Sequence, residues 1–268
     1  MHTALTIAGS DSGGGAGIQA DLKTFAAHGV YGTSAITAVT AQNTIGVTGI
    51  VALPPAIITA QIEAVAGDIG ADAVKTGMLA NAAIVQAVAA AIDSLRLPFV
   101  VVDPVMIAKS GDRLLDDDAV EAMKSDLVGR AFVITPNIPE AEVLAGMTIA
   151  SPADAREAAR RIRALGPGAV IVKGGHLGGT EVVDLVYDGG GFLELRGPRI
   201  ESRHTHGTGC TFSAAIAANL ALGRSLREAA ERAKHYVSHA ILHGPAIGHG
   251  HGPLDHFWNG VARSALVY

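Results

Sequence analysis

Short apolar runs alternate with longer stretches of helical spacing along almost the whole chain. Runs of apolar or β-branched residues predict strands at residues 3–8, 31–40, 46–53, 73–76, 99–102, 131–135 and 169–173. Apolar positions three or four residues apart, with capping residues before several of them, predict helices at residues 18–28, 55–69, 82–95, 117–127, 138–145, 151–165 and 212–222, and after a cap at Ser225. Residues 182–188 and 192–196 flank three glycines and predict a β-hairpin.

This alternation predicts an α/β fold in which a mostly parallel sheet is covered by helices on both faces. The sequence contains no internal repeat and no stretch typical of an interdomain linker. We therefore expect a single domain over residues 1–268, since one α/β domain of this length is common.

Composition narrows the class of protein. The chain is 49% hydrophobic and 17% charged with 33 glycines, which is typical of a compact enzyme and excludes a disordered chain. A net charge of −5 without a basic stripe argues against nucleic acid as a partner. The single cysteine fits a reducing compartment, the first residues lack the positive charge of a signal peptide, and the apolar runs are too short to span a membrane. These features predict a cytoplasmic protein without a membrane partner.

The most informative stretch is H-T-H-G-T-G-C-T at residues 204–211, where a glycine-rich turn opens into an apolar helix. Amides at such a helix start, together with the helix dipole, form an anion site. Cys210 stands at this start, where a lowered thiol pKa would make it a base or a nucleophile near neutral pH. The alternative is a turn that only caps a core helix, with Cys210 as a small buried residue.

The other polar interruptions follow predicted strands, and ligands of doubly wound sheets bind beyond the carboxyl ends of the strands. Those interruptions are the Gly9 loop, Gln42, Lys75, Asp103, Asn137 with Glu140, and Lys173. Gln42 offers a donor and an acceptor to the edge of a heteroaromatic ring, while Asp103 and Glu140 suit Mg²⁺. Lys173 could neutralise a phosphate, and the amides of residues 207–210 could hold a transferring phosphoryl group. Each residue could instead end its strand in a turn, but together they predict phosphoryl transfer.

Several motifs extend this prediction to a family. They are A-G-S-D-S-G-G-G-A-G-I-Q-A-D, T-A-Q-N, V-K-T-G-M-L, V-D-P-V-M-I-A-K-S-G, T-P-N-I-P-E-A-E, V-K-G-G-H and R-H-T-H-G-T-G-C. Over nearly its whole length the chain resembles the bacterial hydroxymethylpyrimidine/phosphomethylpyrimidine kinases of thiamine synthesis. The resemblance implies a ribokinase-like three-layer sandwich, a homodimer, and ATP-dependent phosphorylation of a pyrimidine hydroxymethyl group and then of the monophosphate.

The resemblance also implies roles for single residues. Gln42 matches the glutamine that reads the pyrimidine, and Gly9, Asp21 and Met78 match other positions of the substrate pocket. Mg²⁺ is expected near Asn137 and Glu140, with Asp103 as a further ligand. The residues expected to contact ATP are Asp103, Asn137, Lys173 and Thr208. The residues expected to act on the transferring group are Gly207, Thr208, Gly209 and Cys210.

The second phosphorylation needs an additional cation, because it brings a phosphorylated pyrimidine next to ATP. Lys109, followed by Ser110 and Gly111, is the candidate, and a solvated surface lysine is the alternative. Sugar kinases of this fold carry aspartate where this chain has Cys210, whereas cysteine is expected in the pyrimidine-kinase branch. We therefore expect Cys210 to accept a proton rather than to form a covalent intermediate.

Three other functions stay open at this stage. A pyridoxal/pyridoxine kinase shares the fold and phosphorylates a similar hydroxymethyl group, so a dual activity is plausible. A binding protein that had lost catalysis would not need Asp103, Glu140, Lys173 and Cys210 together. A metal protein could use the histidines near the C-terminus, which are His239, His243, His249, His251 and His256, but H-A-I-L-H lacks the glutamate of a zinc hydrolase.

Overall fold

The computed structural model describes residues 1–106, 117–176 and 179–259. These residues form one nine-stranded sheet in the order β3-β2-β1-β4-β5-β6-β7-β8-β9. The strands are β1 Thr3–Asp11, β2 Tyr31–Gln42, β3 Val47–Ala52, β4 Ala73–Thr76, β5 Val100–Val102, β6 Val133–Ile134, β7 Val170–Val172, β8 Glu181–Tyr187 and β9 Phe192–Pro198. Strands β2, β1 and β4 to β7 pair in parallel, while β3, β8 and β9 add antiparallel edges.

Helices cover both faces of the sheet. They are α1 Gly17–Ala27, α2 Pro55–Asp68, α3 Ala82–Leu95, α4 Asp117–Ala122, α5 Ile138–Ala145, α6 Pro152–Ala164, α7 Thr208–Ala221 and α8 Leu226–Leu242. Helix α4 continues as a π-helical turn at Met123–Leu127. The predicted α/β sandwich with a mostly parallel sheet is therefore confirmed.

Side chains of successive strand residues enter two separate cores, as the period of two in a strand requires. Val100 and Val102 pack on the face of α2 to α6, whereas Val101 between them packs on the face of α1, α7 and α8. Such strands are buried on both sides, which is why they read as continuous apolar runs in the sequence.

Local capping signals account for the starts of four of the described helices. The Asn81 side chain accepts a hydrogen bond from the Ile84 amide, and Ser151 accepts one from Asp154. Asn137 with Glu140 and Ser225 with Glu228 each form a reciprocal capping box. One boundary differs: α7 begins at Thr208, four residues before the predicted apolar run, because Gly207 caps it in a left-handed conformation. Cys210 therefore lies inside the first helical turn.

The strand order places a crevice at the carboxyl edge of β1. The chain goes from β1 to β2 on one side and returns to β4 on the other, so the helical connections diverge there. Asp11, Gln42 and Thr76 end β1, β2 and β4, and Asp103 directly follows β5. Among the helices in the described parts of the chain, none has the length and apolar character needed to cross a bilayer.

Candidate active site

A cavity of about 1190 Å³ opens at the carboxyl ends of the parallel strands. Pockets for one drug-sized ligand commonly measure about 300–1,000 Å³, so this cavity has room for two ligands side by side. The sequence-predicted residues that line it are Gly9, Gln42, Met78, Asp103, Asn137, Glu140, Lys173, Gly207, Thr208, Gly209 and Cys210. The fold thus brings together residues that are spread over most of the chain.

Two predicted substrate contacts differ from the others. Asp21 does not line the cavity: it is fully buried, and its Oδ2 accepts hydrogen bonds from Thr6 Oγ1 at 2.6 Å and Lys75 Nζ at 2.9 Å. The prediction of a direct substrate contact at Asp21 is corrected accordingly, because its carboxylate reaches the cavity only through Lys75. Lys109 lies outside the described residues.

The anion-binding turn, residues 207–210, depends on a glycine at its start. Gly207 has φ +83°, and a Cβ there would overlap the carbonyl oxygen of Gly15. Both donors of Thr208 are used within the preceding loop. Its hydroxyl donates to the Thr205 carbonyl at 2.8 Å, and its amide donates to the same oxygen at 3.3 Å. The amides of Gly209 and Cys210 lie in the first turn of α7, where a helix supplies no acceptor. These two amides are the donors that the turn offers to an anion.

Lys173 places a positive charge beside this turn. A Cβ on Gly209 would lie 3.2 Å from Lys173 Nζ, so the absence of a side chain at Gly209 lets the ammonium approach the backbone. Lys173 Nζ donates to Asp103 Oδ1 at 3.0 Å, while Asp103 Oδ2 is buried without a hydrogen-bond partner. Burial opposes the charged amine, but Asp103 and Glu140 outweigh it and raise the pKa of Lys173. The turn, the ammonium and an unsatisfied carboxylate oxygen therefore meet at one point.

Glu140 and Asn137 have structural partners within α5. Glu140 Oε2 accepts from the Asn137 amide at 2.8 Å, and Asn137 Oδ1 accepts from the Glu140 amide at 2.9 Å. Burial raises the pKa of Glu140 to about 7, against the opposing effect of Lys173. The N-x-x-E motif is thus a capping box that also presents its buried carboxyl group to the cavity.

The thiol of Cys210 does not have the lowered pKa expected at a helix start. Burial raises its pKa to about 11, and the nearby Lys75 ammonium opposes this only in part. Burial favours the neutral form of a thiol, and the carboxylates of Asp103 and Asp21 act in the same direction. The predicted pKa is therefore wrong for the ligand-free protein, although Cys210 does lie in the anion-binding turn.

Sequence reasoning missed a hydrogen-bonded pair beside Gln42. Asp11 Oδ2 lies 2.9 Å from His206 Nε2, and Gln42 Nε2 lies 3.3 Å from the same ring nitrogen. Asp11 also accepts hydrogen bonds from the amides of Gly13, Gly15 and Ala16. Burial opposes ionisation, but His206 and the Ala16 amide outweigh it and lower the pKa of Asp11. The signal available in the sequence was an aspartate two residues before a glycine, a spacing that is typical of an Asx turn.

The sequence also gave no role to Lys75, although it lies among the predicted site residues. It is fully buried yet lines the cavity. Burial favours the neutral amine, but the carboxylate of Asp21 outweighs burial and raises the pKa of Lys75, so the ammonium stays charged. A lysine inside the buried strand A-V-K-T was the available signal, since buried lysines are rarely unpaired.

Three of the C-terminal histidines make other contacts in the described part of the chain. His239 and His243 stack with Trp258, and His256 is buried against Thr211. In residues 1–106, 117–176 and 179–259, no group of three or more His, Cys, Asp or Glu side chains is arranged to hold a metal ion. The metal-protein alternative therefore has no support in the described part of the chain.

A mostly parallel α/β sandwich with an anion-binding turn, two ion-paired lysines and a two-ligand cavity defines a phosphotransferase of the kinase class. A family model described as phosphomethylpyrimidine kinase matches residues 11–255. The chain belongs to this family.

Curated relatives agree with that assignment. The chain is 52% identical over 258 residues to the hydroxymethylpyrimidine/phosphomethylpyrimidine kinase of Bacillus subtilis strain 168, which covers 96% of this chain and 95% of the relative. It is 54% identical over 252 residues to a thiamine biosynthesis bifunctional protein of Geobacter sulfurreducens. That alignment covers 94% of this chain but only 51% of the bifunctional protein, so the chain spans about half of that relative's length.

Solved structures show the same fold. An ADP complex of Bacillus subtilis pyridoxal kinase has a TM-score of 0.88 and 41% identity, with 96% of this chain and 97% of that chain covered. A phosphomethylpyrimidine kinase from Clostridium difficile 630 has a TM-score of 0.81 and 46% identity, with 90% and 100% covered. Both proteins are kinases of the ribokinase-like fold.

The raised pKa of Cys210 predicts how this thiol reacts with alkylating reagents. Because the thiolate is the reactive form, the labelling rate with iodoacetamide should rise about tenfold per pH unit from pH 7.5 to 9.5 and continue rising above pH 9. An unperturbed cysteine would level off near its ordinary pKa of about 8.5. The chain has one cysteine, so mass spectrometry of the intact protein measures this rate directly. A plateau below pH 9 would contradict the raised pKa of the thiol.

Proposed function

We propose that the chain transfers the γ-phosphoryl group of ATP to the hydroxymethyl group of 4-amino-5-hydroxymethyl-2-methylpyrimidine, and then phosphorylates the monophosphate. In the first step the hydroxymethyl oxygen bonds to the γ-phosphorus and the bridging bond to ADP breaks. The hydroxyl proton leaves to a base, and ADP departs with the electrons of the broken bond. In the second step a phosphate oxygen of the monophosphate is the nucleophile.

One observation carries this proposal. The backbone amides that could hold a phosphoryl group and the Gln42 side-chain amide that could bind a pyrimidine ring line the same cavity. The amides of Gly209 and Cys210 lie beside the Lys173 ammonium, and Gln42 lines the same cavity near the end of β2. Phosphoryl transfer requires positioning and charge stabilisation more than strong base catalysis, because its transition state is loose. The arrangement supplies both requirements.

Cys210 is proposed as the proton acceptor. With a pKa of about 11, about one thiol in 10⁴ is ionised at pH 7 in the ligand-free protein. Most of the rate then depends on the turn amides and Lys173, and Cys210 contributes to the extent that substrate binding lowers its pKa; the Lys75 ammonium favours the thiolate, whereas further burial opposes it. The pH titration of labelling, repeated with bound pyrimidine, measures that change.

A pyridoxal kinase is the second candidate function. Pyridoxal kinases of Bacillus subtilis and Staphylococcus aureus share the fold with TM-scores of 0.88 and 0.89. Their identities of 41% and 39% are below the 52% shared with the pyrimidine kinase of Bacillus subtilis strain 168. The pyrimidine is therefore the favoured substrate.

Mg²⁺ is proposed as the companion of ATP, held by Asp103 and Glu140. The buried Asp103 Oδ2 has no hydrogen-bond partner, which fits a metal ligand better than a purely structural carboxylate. Magnesium in kinases needs only one or two protein carboxylates besides phosphates and water, so a larger acidic cluster is not required. When bound, the ion would neutralise phosphate charge, while Lys173 and the turn amides orient the transferring group.

A homodimer is also proposed. Apolar side chains are exposed on and beside the edge strand β3 and its neighbour β2, namely Val39, Ile45, Ile50, Val51 and Ile57. Exposed apolar clusters of this kind suit a protein interface, and sedimentation equilibrium would measure the mass of the assembly. The single domain, the cytoplasmic location and the role of Lys109 stay predictions.

Steady-state kinetics with three acceptors test the function. The purified chain should phosphorylate the pyrimidine alcohol and its monophosphate with ATP, and pyridoxal with a kcat/KM at least about tenfold lower, because ring substituents in a fitted pocket contribute about 1–3 kcal/mol. Product analysis by phosphorus NMR identifies each step. Preference for pyridoxal, or turnover of neither pyrimidine, would overturn the proposal.

Gln42→Ala should weaken pyrimidine binding and leave ATP binding almost unchanged. Loss of a polar pocket contact costs on the order of 1–3 kcal/mol, which corresponds to about 5- to 150-fold in affinity. Asn43→Ala is the matched control, because the Asn43 side chain accepts from the amides of Ile45 and Gly46 in its own turn. Calorimetric titration with each ligand separates the effects, and equal pyrimidine affinity in both variants would exclude Gln42 as a ring contact.

Glu140→Gln should reduce activity in a manner that added Mg²⁺ partly restores, because mass action offsets weaker ligation. The amide can still accept from Asn137, so the cap of α5 is retained. Glu228→Gln alters the other capping box, at the start of α8, and should leave the Mg²⁺ dependence unchanged. Titration of Mg²⁺ in the presence of ADP gives a second readout without turnover. A rate loss that does not respond to Mg²⁺ would assign Glu140 a structural role.

A further inference from the structure

Residues 250–256, here called the tail segment, cross behind the anion-binding turn and contact three parts of the site. At one end of the segment the Gly250 amide donates to Thr44 Oγ1 at 3.2 Å, and the His251 amide donates to the Thr44 carbonyl at 2.8 Å. Thr44 follows the ring-reading Gln42 by two residues. The segment is therefore fastened to the substrate end of the cavity.

The middle of the tail segment holds the residue that precedes the turn. The His206 amide donates to the Gly252 carbonyl at 3.1 Å, and the Gly252 amide donates to the Arg203 carbonyl at 3.1 Å. A Cβ on Gly252 would overlap the ring of His204, so a larger residue would require this ring to move. The position of His206 fixes the start of the turn, because Gly207 is the next residue.

The end of the tail segment holds the residue that follows the turn. His256 Nε2 lies 3.0 Å from Thr211 Oγ1, and both residues are buried. The Thr211 amide donates to the Gly207 carbonyl at 2.8 Å and so closes the turn that contains Gly209 and Cys210. The Tyr236 hydroxyl donates to the His256 carbonyl at 2.6 Å and fixes the histidine backbone.

This double attachment matters because the turn has little stiffness of its own. Gly207 and Gly209 flank Thr208, and glycine is the residue with the greatest backbone freedom. Donors aimed at a transferring group have to keep their place within about half an ångström, and a misplacement of about 1 Å can lower the rate about 100-fold. A flexible turn that performs this task needs contacts from outside the turn.

His256 is suited to give a constant contact. Burial and the nearby positive charge of Lys23 lower its pKa to about 4, so the ring stays neutral at ordinary pH. Thr211 points its hydroxyl at this ring from inside α7 rather than toward the cavity, since Thr211 is fully buried and does not line it. The two side chains thus act on the turn and not on a ligand.

We propose that His256 is a positioning residue for phosphoryl transfer: through Thr211 it fixes the end of the anion-binding turn whose start is held by Gly252. The inference rests on the proposed kinase function, which it deepens. It predicts a defect in the chemical step and not in ligand affinity, since neither His256 nor Thr211 touches a ligand.

Two single variants and their combination test the contact. His256→Phe keeps a ring but removes the hydrogen bond, and Thr211→Val keeps the shape but removes the hydroxyl. Each should lower kcat about 10- to 100-fold with KM values for pyrimidine and ATP within about twofold of the parent. The double variant should lose no more than the worse single variant, because both changes break one interaction. His256→Gln, which can place an amide nitrogen near the same hydroxyl, should restore part of kcat.

Thr33→Val is the matched control. It removes a buried hydroxyl that donates to the Ala4 carbonyl on the sheet, away from the turn, and should leave kcat unchanged. If His256→Phe fails to fold, Thr211→Val and its comparison with Thr33→Val still decide the question. A kcat for folded Thr211→Val or His256→Phe within twofold of the parent, or losses that add in the double variant, would overturn the proposal.

Labelling of Cys210 by iodoacetamide at pH 9 separates this inference from the kinase function, because it needs no turnover. The His256→Phe and Thr211→Val proteins should label at similar rates, at least about threefold faster than the parent, since a loosened turn exposes the thiol. If the parent phosphorylates neither pyrimidine but labelling changes as expected, the kinase function fails and the structural contact stands. If the parent is active and labelling equals that of Thr33→Val, the positioning role fails alone.

Discussion

The carbonyl oxygen of Gly15 lies so close to the α-carbon of Gly207 that no side chain fits between them. This contact joins the loop after β1 to the start of α7, two segments almost 200 residues apart in sequence. His206 packs on the same loop, and its Nε2 lies 2.9 Å from Asp11 Oδ2. Because the loop borders one end of the cavity and α7 begins at the other, this approach fixes how far the turn amides lie from the loop.

Charge within the cavity follows from two ion pairs, Lys75 with Asp21 and Lys173 with Asp103, at 2.9 and 3.0 Å. Removing one partner of a buried pair costs about 3–5 kcal/mol, because the other charge is left uncompensated. The pairing keeps both lysines charged, so they can attract a polyphosphate. The same burial holds the Cys210 thiol neutral, with a pKa of about 11. Burial, and not the charge of the lysines, therefore keeps the thiol neutral in the ligand-free protein, since the Lys75 ammonium lowers the pKa of Cys210.

The motif at Asn137 and Glu140 shows how one short stretch can serve the fold and the site together. Its reciprocal hydrogen bonds begin α5, and the same carboxyl group, buried at the cavity wall, has a pKa raised to about 7. A structural cap fixes the direction of the carboxylate, which suits a metal ligand because little side-chain freedom remains to be lost on binding. The matching capping box at Ser225 and Glu228 lies on an exposed helix start, and its Glu228 carboxylate keeps a lowered pKa.

Local signals determined the elements and much of the site in advance. Apolar runs and caps such as Asn81 and Ser151 predict strands and helices, because period and capping act over a few residues. The strand-end rule brings Gln42, Asp103 and Lys173 to one edge, since parallel strands share their carboxyl ends. Burial and pairing depend on distant residues and were decided only by the tertiary structure. Asp21 lies behind Lys75, the thiol of Cys210 has a raised pKa, and His256 reaches Thr211 from 45 residues away. Desolvation and long-range hydrogen bonds follow from packing, and no local pattern along the chain contains that information.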